Sequence, residues 1–159
     1  MLLQVKTLIK LSALAGLLAN SPVFARATCI PSDLLLRQIE RTAKAYSIAP
    51  NLLKAISAVE SCHGKYLYNA KTRDYGLMQI NIHTARAMKL NISRLMHDHA
   101  YSLDSAAQIL VALRANWPTT YQCRYNIGTS KALWTHAACK RYLERLKSAG
   151  YIAPLRSAK

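Results

Sequence analysis

Helical spacing constrains this chain more than any other feature. Between Pro31 and Gly150 apolar residues recur three and four apart in successive runs, and strand-like alternation is weak throughout. The most informative run is Pro50 to Glu60. Proline opens it, where a missing N–H costs nothing. Leu53, Ile56 and Glu60 then share one face, with Leu52 and Val59 beside them. A carboxylate therefore sits on the buried stripe, near the helix's end. Burying a carboxylate without a partner is costly, and the usual outcome is a raised pKa. A carboxyl that keeps its proton at the wall of an apolar cleft is equipped to act as a general acid. A Glu paired with an Arg, or capping a backbone group, explains the same position structurally.

The other segments follow the same rule. Ser32 and Asp33 suit the start of a helix running to Ser47, with Leu35, Ile39, Thr42 and Tyr46 on one face. Gly64 to Arg73 is polar, contains Tyr66 and Tyr68, and reads as a loop with room for a short β-hairpin. Gly76 to about Lys89 reads as helix on the spacing of Leu77, Ile80, Thr84 and Met88, with Asp74 as its N-cap. Asn91-Ile92-Ser93 is a turn or helix start, and His97-Asp98-His99 a solvated turn. Leu103, Ala106, Leu110 and Leu113 mark a helix to Asn116 that Pro118 ends. Thr119–Asn126 is a short helix, and Ser130–Ala149 a final one stopped by Gly150. The fold class is all-α, or α+β at most through the small hairpin, in a single domain with short connections.

The chain has 159 residues, of which 52% are hydrophobic, enough for one domain with a real core. Its start reads as a secretory signal: Lys6 and Lys10, an apolar run from Leu11 to Ala19, and a cleavage site at Val23-Phe24-Ala25, or after Ala27. The apolar run is short for a membrane span. This divides the chain into a signal peptide, 1–25, and one exported domain, 26–159, with a core of about 30–150 and no stable membrane insertion after cleavage. Losing Lys6 and Lys10 leaves 20 basic against 7 acidic residues. So strong a balance favours an anionic partner. Cys29, Cys62, Cys123 and Cys139 lie in the exported part, where an even count implies disulfides with three possible connectivities. No cysteine or histidine spacing suits a metal, and no cofactor is implied.

Three short pieces then occur in order: Glu60-Ser61, Tyr75-Gly76-Leu77-Met78-Gln79-Ile80-Asn81, and Tyr125-Asn126-Ile127-Gly128. Together they resemble the catalytic domain of soluble lytic transglycosylases over about Ile30 to Lys147. The phrase from Asp74 to Asn81 is most similar to small single-domain members that accompany secretion, conjugation and pilus machines. The third piece departs from the family's pattern, with Arg124 and Ile127 where alanine is usual.

The resemblance implies a lysozyme-like, mostly helical fold and cleavage of the β-1,4 bond between N-acetylmuramic acid and N-acetylglucosamine in periplasmic peptidoglycan. It also implies a 1,6-anhydromuramyl product and the partner machinery just named. Glu60 would be the catalytic acid, then base. Ser61, Met78, Gln79, Tyr125 and Asn126 would bind substrate, with Tyr125 placing its hydroxyl on Glu60. Tyr66, Tyr68 and Tyr121 are candidates to stack on sugar rings. If Tyr125 approaches Glu60, Cys62 and Cys123 approach as well, which pairs Cys62 with Cys123 and Cys29 with Cys139. Two alternatives remain. A goose-type-like hydrolase would need a second carboxylate about 5 to 9.5 Å away, for which Asp74 is the candidate. A non-catalytic glycan-binding component would leave Glu60 idle. Nucleic-acid binding rests on charge alone and is disfavoured by export and the three motifs.

Overall fold

The computed structural model describes residues 29–128 and 135–153. The expected signal peptide, and the start of the last helix at Ser130, lie outside the described residues. Helix α1 (Asp33–Ala45) begins as expected at Ser32, whose side chain accepts from Leu35 N–H at 3.2 Å. Leu35, Ile39 and Ala43 form its buried stripe. Helix α2 (Pro50–Ser61) follows after a tight turn in which Ile48 N–H donates to Ala43 O at 2.9 Å. Leu52, Leu53, Ala55 and Ile56 of α2 are fully buried.

Beyond α2 a small antiparallel sheet forms from β1 (Tyr68–Asn69), β2 (Asp74–Tyr75) and β3 (Ile80–Asn81), in that spatial order. Its register pairs Tyr68 with Tyr75, and Asp74 with Asn81. Two short helices come next, α3 (Ile82–Ala87) and α4 (Ile92–His97), followed by the long α5 (His99–Asn116). Helix α5 lies at the centre, with α1, α4 and α6 (Tyr121–Ile127) packed against it. Leu103, Ala106, Ala107 and Leu110 of α5 are fully buried. Each buried Leu contributes about 2 kcal/mol. The final helix, α7 (His136–Ser148), packs on α2 and α6 and closes the bundle. The result is mostly helical and lysozyme-like, as the sequence implied. Among the described residues no helix is long and apolar enough to cross a membrane.

Three expectations need correction. The helix expected from Gly76 to Lys89 is a turn, a strand and the short α3. Gly76 and Gln79 have φ of +80° and +48°, which no α-helix accommodates. The carbonyls of Leu77 and Met78 are taken by the side chains of Ser61 and Tyr125. Gly76 also admits nothing larger: a Cβ there would lie 2.0 Å from Leu95 O. Asp74 accordingly caps nothing at Gly76. It sits in β2, while Asn81 caps α3 by accepting from His83 N–H at 3.0 Å.

His97-Asp98-His99 is a helix-to-helix joint. Asp98 ends α4 and caps α5, accepting from Tyr101 N–H at 2.9 Å.

The disulfides are Cys29–Cys62 and Cys123–Cys139, each with Cα atoms 5.0 Å apart. The expected pairing failed because Cys123 precedes Tyr125 by two residues in α6, so the two side chains point about 200° apart around the helix. Cys123 is turned toward α7. Cys62 leaves α2 in a left-handed conformation, φ +53°, and meets the incoming chain at Cys29.

Candidate active site

The end of α2 carries Glu60 to the wall of a cleft of about 470 Å³. Thr72 lines it from the turn between β1 and β2, Asp74 and Asn81 from the sheet, Gln79 from the glycine turn, His83 from α3, and Tyr125 and Asn126 from α6.

Glu60 is half-buried. Its Oε1 accepts from Tyr142 Oη at 2.8 Å and from Asn126 Nδ2 at 3.3 Å. Desolvation pushes its pKa above the ordinary carboxylate value of 4.5. The Tyr142 hydroxyl, the Arg145 charge and the Asn126 amide pull it back, and the Asp74 charge adds to the rise. The balance keeps the proton on Glu60 more tightly than on a solvated carboxyl. Arg145 is fixed next to the site because its Nη2 donates to Val59 O at 3.0 Å, one residue before Glu60. Burial first, and then the Glu60 charge, holds Tyr125 and Tyr142 well above the usual phenol value, so both remain neutral donors.

The glycine turn is held from several sides. Ser61 Oγ donates to Leu77 O at 2.6 Å and accepts from Gly64 N–H at 2.9 Å. Met78 N–H donates to Ser102 Oγ of α5 at 3.2 Å. Tyr125 Oη donates to Met78 O at 2.8 Å. Gln79 donates its amide to Gly76 O at 2.9 Å and to Tyr66 O at 3.1 Å.

Of the expected site residues, Glu60, Gln79, Tyr125 and Asn126 converge on the cleft. Ser61 and Met78 do not, because both are fully buried. Ser61 fastens the turn to α2, and Met78 fills the core. The Tyr125 hydroxyl is spent on the Met78 carbonyl, and Tyr142 makes the contact with Glu60 that was assigned to Tyr125. Tyr66, Tyr68 and Tyr121 lie outside the cleft lining; Tyr68 packs on Tyr75 with ring centroids 5.0 Å apart.

Sequence reasoning missed Tyr142 and Arg145. The available signal was slight: one tyrosine four residues before Leu146 on the apolar stripe of an otherwise charged helix. A buried tyrosine needs a partner for its hydroxyl, yet nothing in that segment names the partner. Asp74, the candidate second carboxylate, does line the cleft, with Thr72 Oγ1 bonded to one oxygen and Asn81 Nδ2 donating to the other at 2.8 Å.

The family model for the transglycosylase SLT domain matches residues 37–141. The match runs from α1 into α7, includes all three motifs, and stops one residue before Tyr142. No curated protein and no solved structure gives a significant match to the chain. Matched over most of its length, with the fold described above, the chain belongs to the SLT transglycosylase family, the lytic transglycosylases that act on peptidoglycan.

Proposed function

We propose that Glu60 carries both proton transfers of a lytic cleavage of the bond between N-acetylmuramic acid and N-acetylglucosamine. The supporting observation is the Glu60 carboxyl, half-buried and bonded to Tyr142 and Asn126, whose pKa is raised at the wall of an open cleft. Glu60 gives its proton to the glycosidic oxygen as that bond breaks. The substrate's own acetamido group stabilises the positive charge growing at the anomeric carbon. Glu60, now a carboxylate, takes the proton of the C6 hydroxyl, whose oxygen bonds to that carbon. The product is a 1,6-anhydro ring, no water is consumed, and Glu60 ends protonated. Gln79, with its amide N–H groups engaged by backbone carbonyls, offers its side-chain oxygen to a sugar N–H or O–H. Asn126 and the Tyr125 ring supply the facing wall.

Two disulfides suit an oxidising compartment. With the leader-like start, they support export to the periplasm after loss of residues 1–25. The motif similarity supports service to a secretion, conjugation or pilus assembly.

A second reading makes Asp74 the partner carboxylate of a hydrolase, because it lines the same cleft. The products separate the two. Mass spectrometry of digested peptidoglycan is expected to give anhydromuramyl ends with wild type. Glu60→Gln is expected to lose about 10³-fold in rate. Reducing ends from wild type would establish the hydrolase, and full activity in Glu60→Gln would remove Glu60 from the chemistry.

A further inference from the structure

Helix α2 ends with a backbone oxygen that its own turn does not cap. The N–H of Cys62 donates to Ala58 O, and that of His63 to Ser57 O. The Val59 carbonyl, in the same last turn, is left over, as helix C-termini leave several. Arg145 of α7 takes it, with Nη2 donating to Val59 O at 3.0 Å. A cation there also faces the negative end of the helix dipole.

The same guanidinium has a second neighbour. Tyr142 lies three residues earlier, on the same face of α7, and Arg145 Cζ is 5.9 Å from the centre of its ring. Tyr142 Oη in turn donates to Glu60 Oε1 at 2.8 Å. One side chain therefore grips both the backbone that carries Glu60 and the ring that donates to it. A positive charge beside a phenol makes its O–H a stronger donor, and Arg145 opposes the rise of the Tyr142 pKa.

Arg145 does not pair with Glu60 itself. Among the described residues the one ion pair is Arg94–Asp98. The stand-off matters. A carboxylate paired directly with a guanidinium is held ionised and has no proton to give. A guanidinium held one residue back leaves Glu60 its proton and still favours the charge that appears once the proton has gone. The other groups facing Glu60 do not supply this. Asn126 of α6 donates to it, Tyr125 of α6 is a neutral phenol, Asp74 of β2 opposes its charge, and His83 of α3 lines the same cleft. Among the described groups that shift the Glu60 proton, only Arg145 is cationic.

We infer that Arg145 is a positioning residue for the cleavage: it fixes the end of α2 and the Tyr142 ring against each other, and its charge steadies the carboxylate that Glu60 becomes between its two proton transfers. The inference rests on the glycan-cleaving reading given above. It extends the site to a residue beyond the stretch 37–141 that the family model matches.

The test uses two variants. Arg145→Gln keeps a donor for the Val59 carbonyl and removes the charge, whereas Arg145→Lys keeps the charge and loses the fork. The position is exposed, so both are expected to melt within about 2 °C of wild type. On purified peptidoglycan, Arg145→Gln is expected to lose about fivefold in kcat below the alkaline limb of the pH–rate profile, with KM within about twofold. The limb itself should move to higher pH, so that the loss shrinks as pH rises. Arg145→Lys should keep the limb near its wild-type place. Carbon NMR of the Glu60 carboxyl should show the same upward move of its titration midpoint in Arg145→Gln, a reading that needs no turnover. A merely structural role would lower kcat by one factor at every pH and leave limb and midpoint in place, and that result would overturn the inference. A limb displaced equally by Gln and by Lys would do the same. In both cases anhydromuramyl ends among the products would leave the cleavage reading intact. Reducing ends from wild type, or full activity in Glu60→Gln, would overturn that reading and the inference with it.

Discussion

The two walls that meet at Glu60 are built by opposite means. On one side, the end of α2 and the glycine turn are joined by buried hydrogen bonds and a close backbone contact. Ser61 reaches Leu77 O, Ser102 reaches the Met78 amide, and Gly76 sits against Leu95. On the other side, α6 is only 7 residues long, Asn126 is exposed, and the Cys123–Cys139 bond ties α6 to α7, where Tyr142 lies. The first wall supplies the carboxyl and shapes the cleft. The second supplies the donors that hold the carboxyl. A short sequence motif suffices where the backbone itself is the scaffold, whereas donors brought from separate helices need a covalent tie to keep their aim.

The strongest way to break this contrast is at Gly76. A methyl group there meets the Leu95 carbonyl at 2.0 Å, and φ is +80°. Gly76→Ala is expected to cost about 4 kcal/mol and to lower Tm by about 10 °C or more, read by thermal unfolding. An unchanged Tm would mean that the turn is not held as tightly as described.

Next in size is the covalent tie. Cys123→Ser with Cys139→Ser opens a bond that closes a separation of 16 residues, worth about 3 kcal/mol. Hydrogen exchange should show α6 and α7 losing protection while the amides of 76–79 keep theirs, with activity falling alongside. Equal loosening of both walls would erase the distinction.

Smallest is Tyr142→Phe, which keeps the ring and removes one donor to Glu60, for an expected drop of about tenfold in kcat. The Tyr142 hydroxyl bonds the carboxylate form and so lowers the Glu60 pKa. Its removal should move the alkaline limb of the pH–rate profile to higher pH. The same logic applies to stability. The fold binds the Glu60 proton more tightly than the unfolded chain does. The contribution of Glu60 to stability is therefore fully present below pH 4.5 and is lost as pH rises through the raised folded-state value. Denaturation midpoints of Glu60→Gln across that range should lack this decline.

Much of the scaffold was written in local patterns. Ser32, Pro50 and the Leu103–Leu113 stripe each announce a helix by capping or spacing, and those helices formed. The place of Glu60 near a helix end and on a buried face also followed from spacing alone. The turn from Gly76 to Gln79 misled because Leu77, Ile80, Thr84 and Met88 keep helical spacing, while the backbone is bent by contacts from α2, α5 and α6 that no local window contains. Ser61 and Met78 were assigned to substrate from the motif, yet both are fully buried, and the Ser61 hydroxyl and the Met78 amide bond within the scaffold of the turn. Tyr142 lies 82 residues from Glu60, and only the packing of α7 on α2 pairs them. The disulfides were illegible for a related reason: helical phase at Cys123, not its nearness to Tyr125, chose the partner.

Those two sulfur bridges join the first cysteine to the second and the third to the fourth. Neither loop encloses an end of the other. An oxidant that couples thiols in the order in which a chain presents them would therefore make both native links at the first attempt, and no later shuffling by thiol exchange would be required.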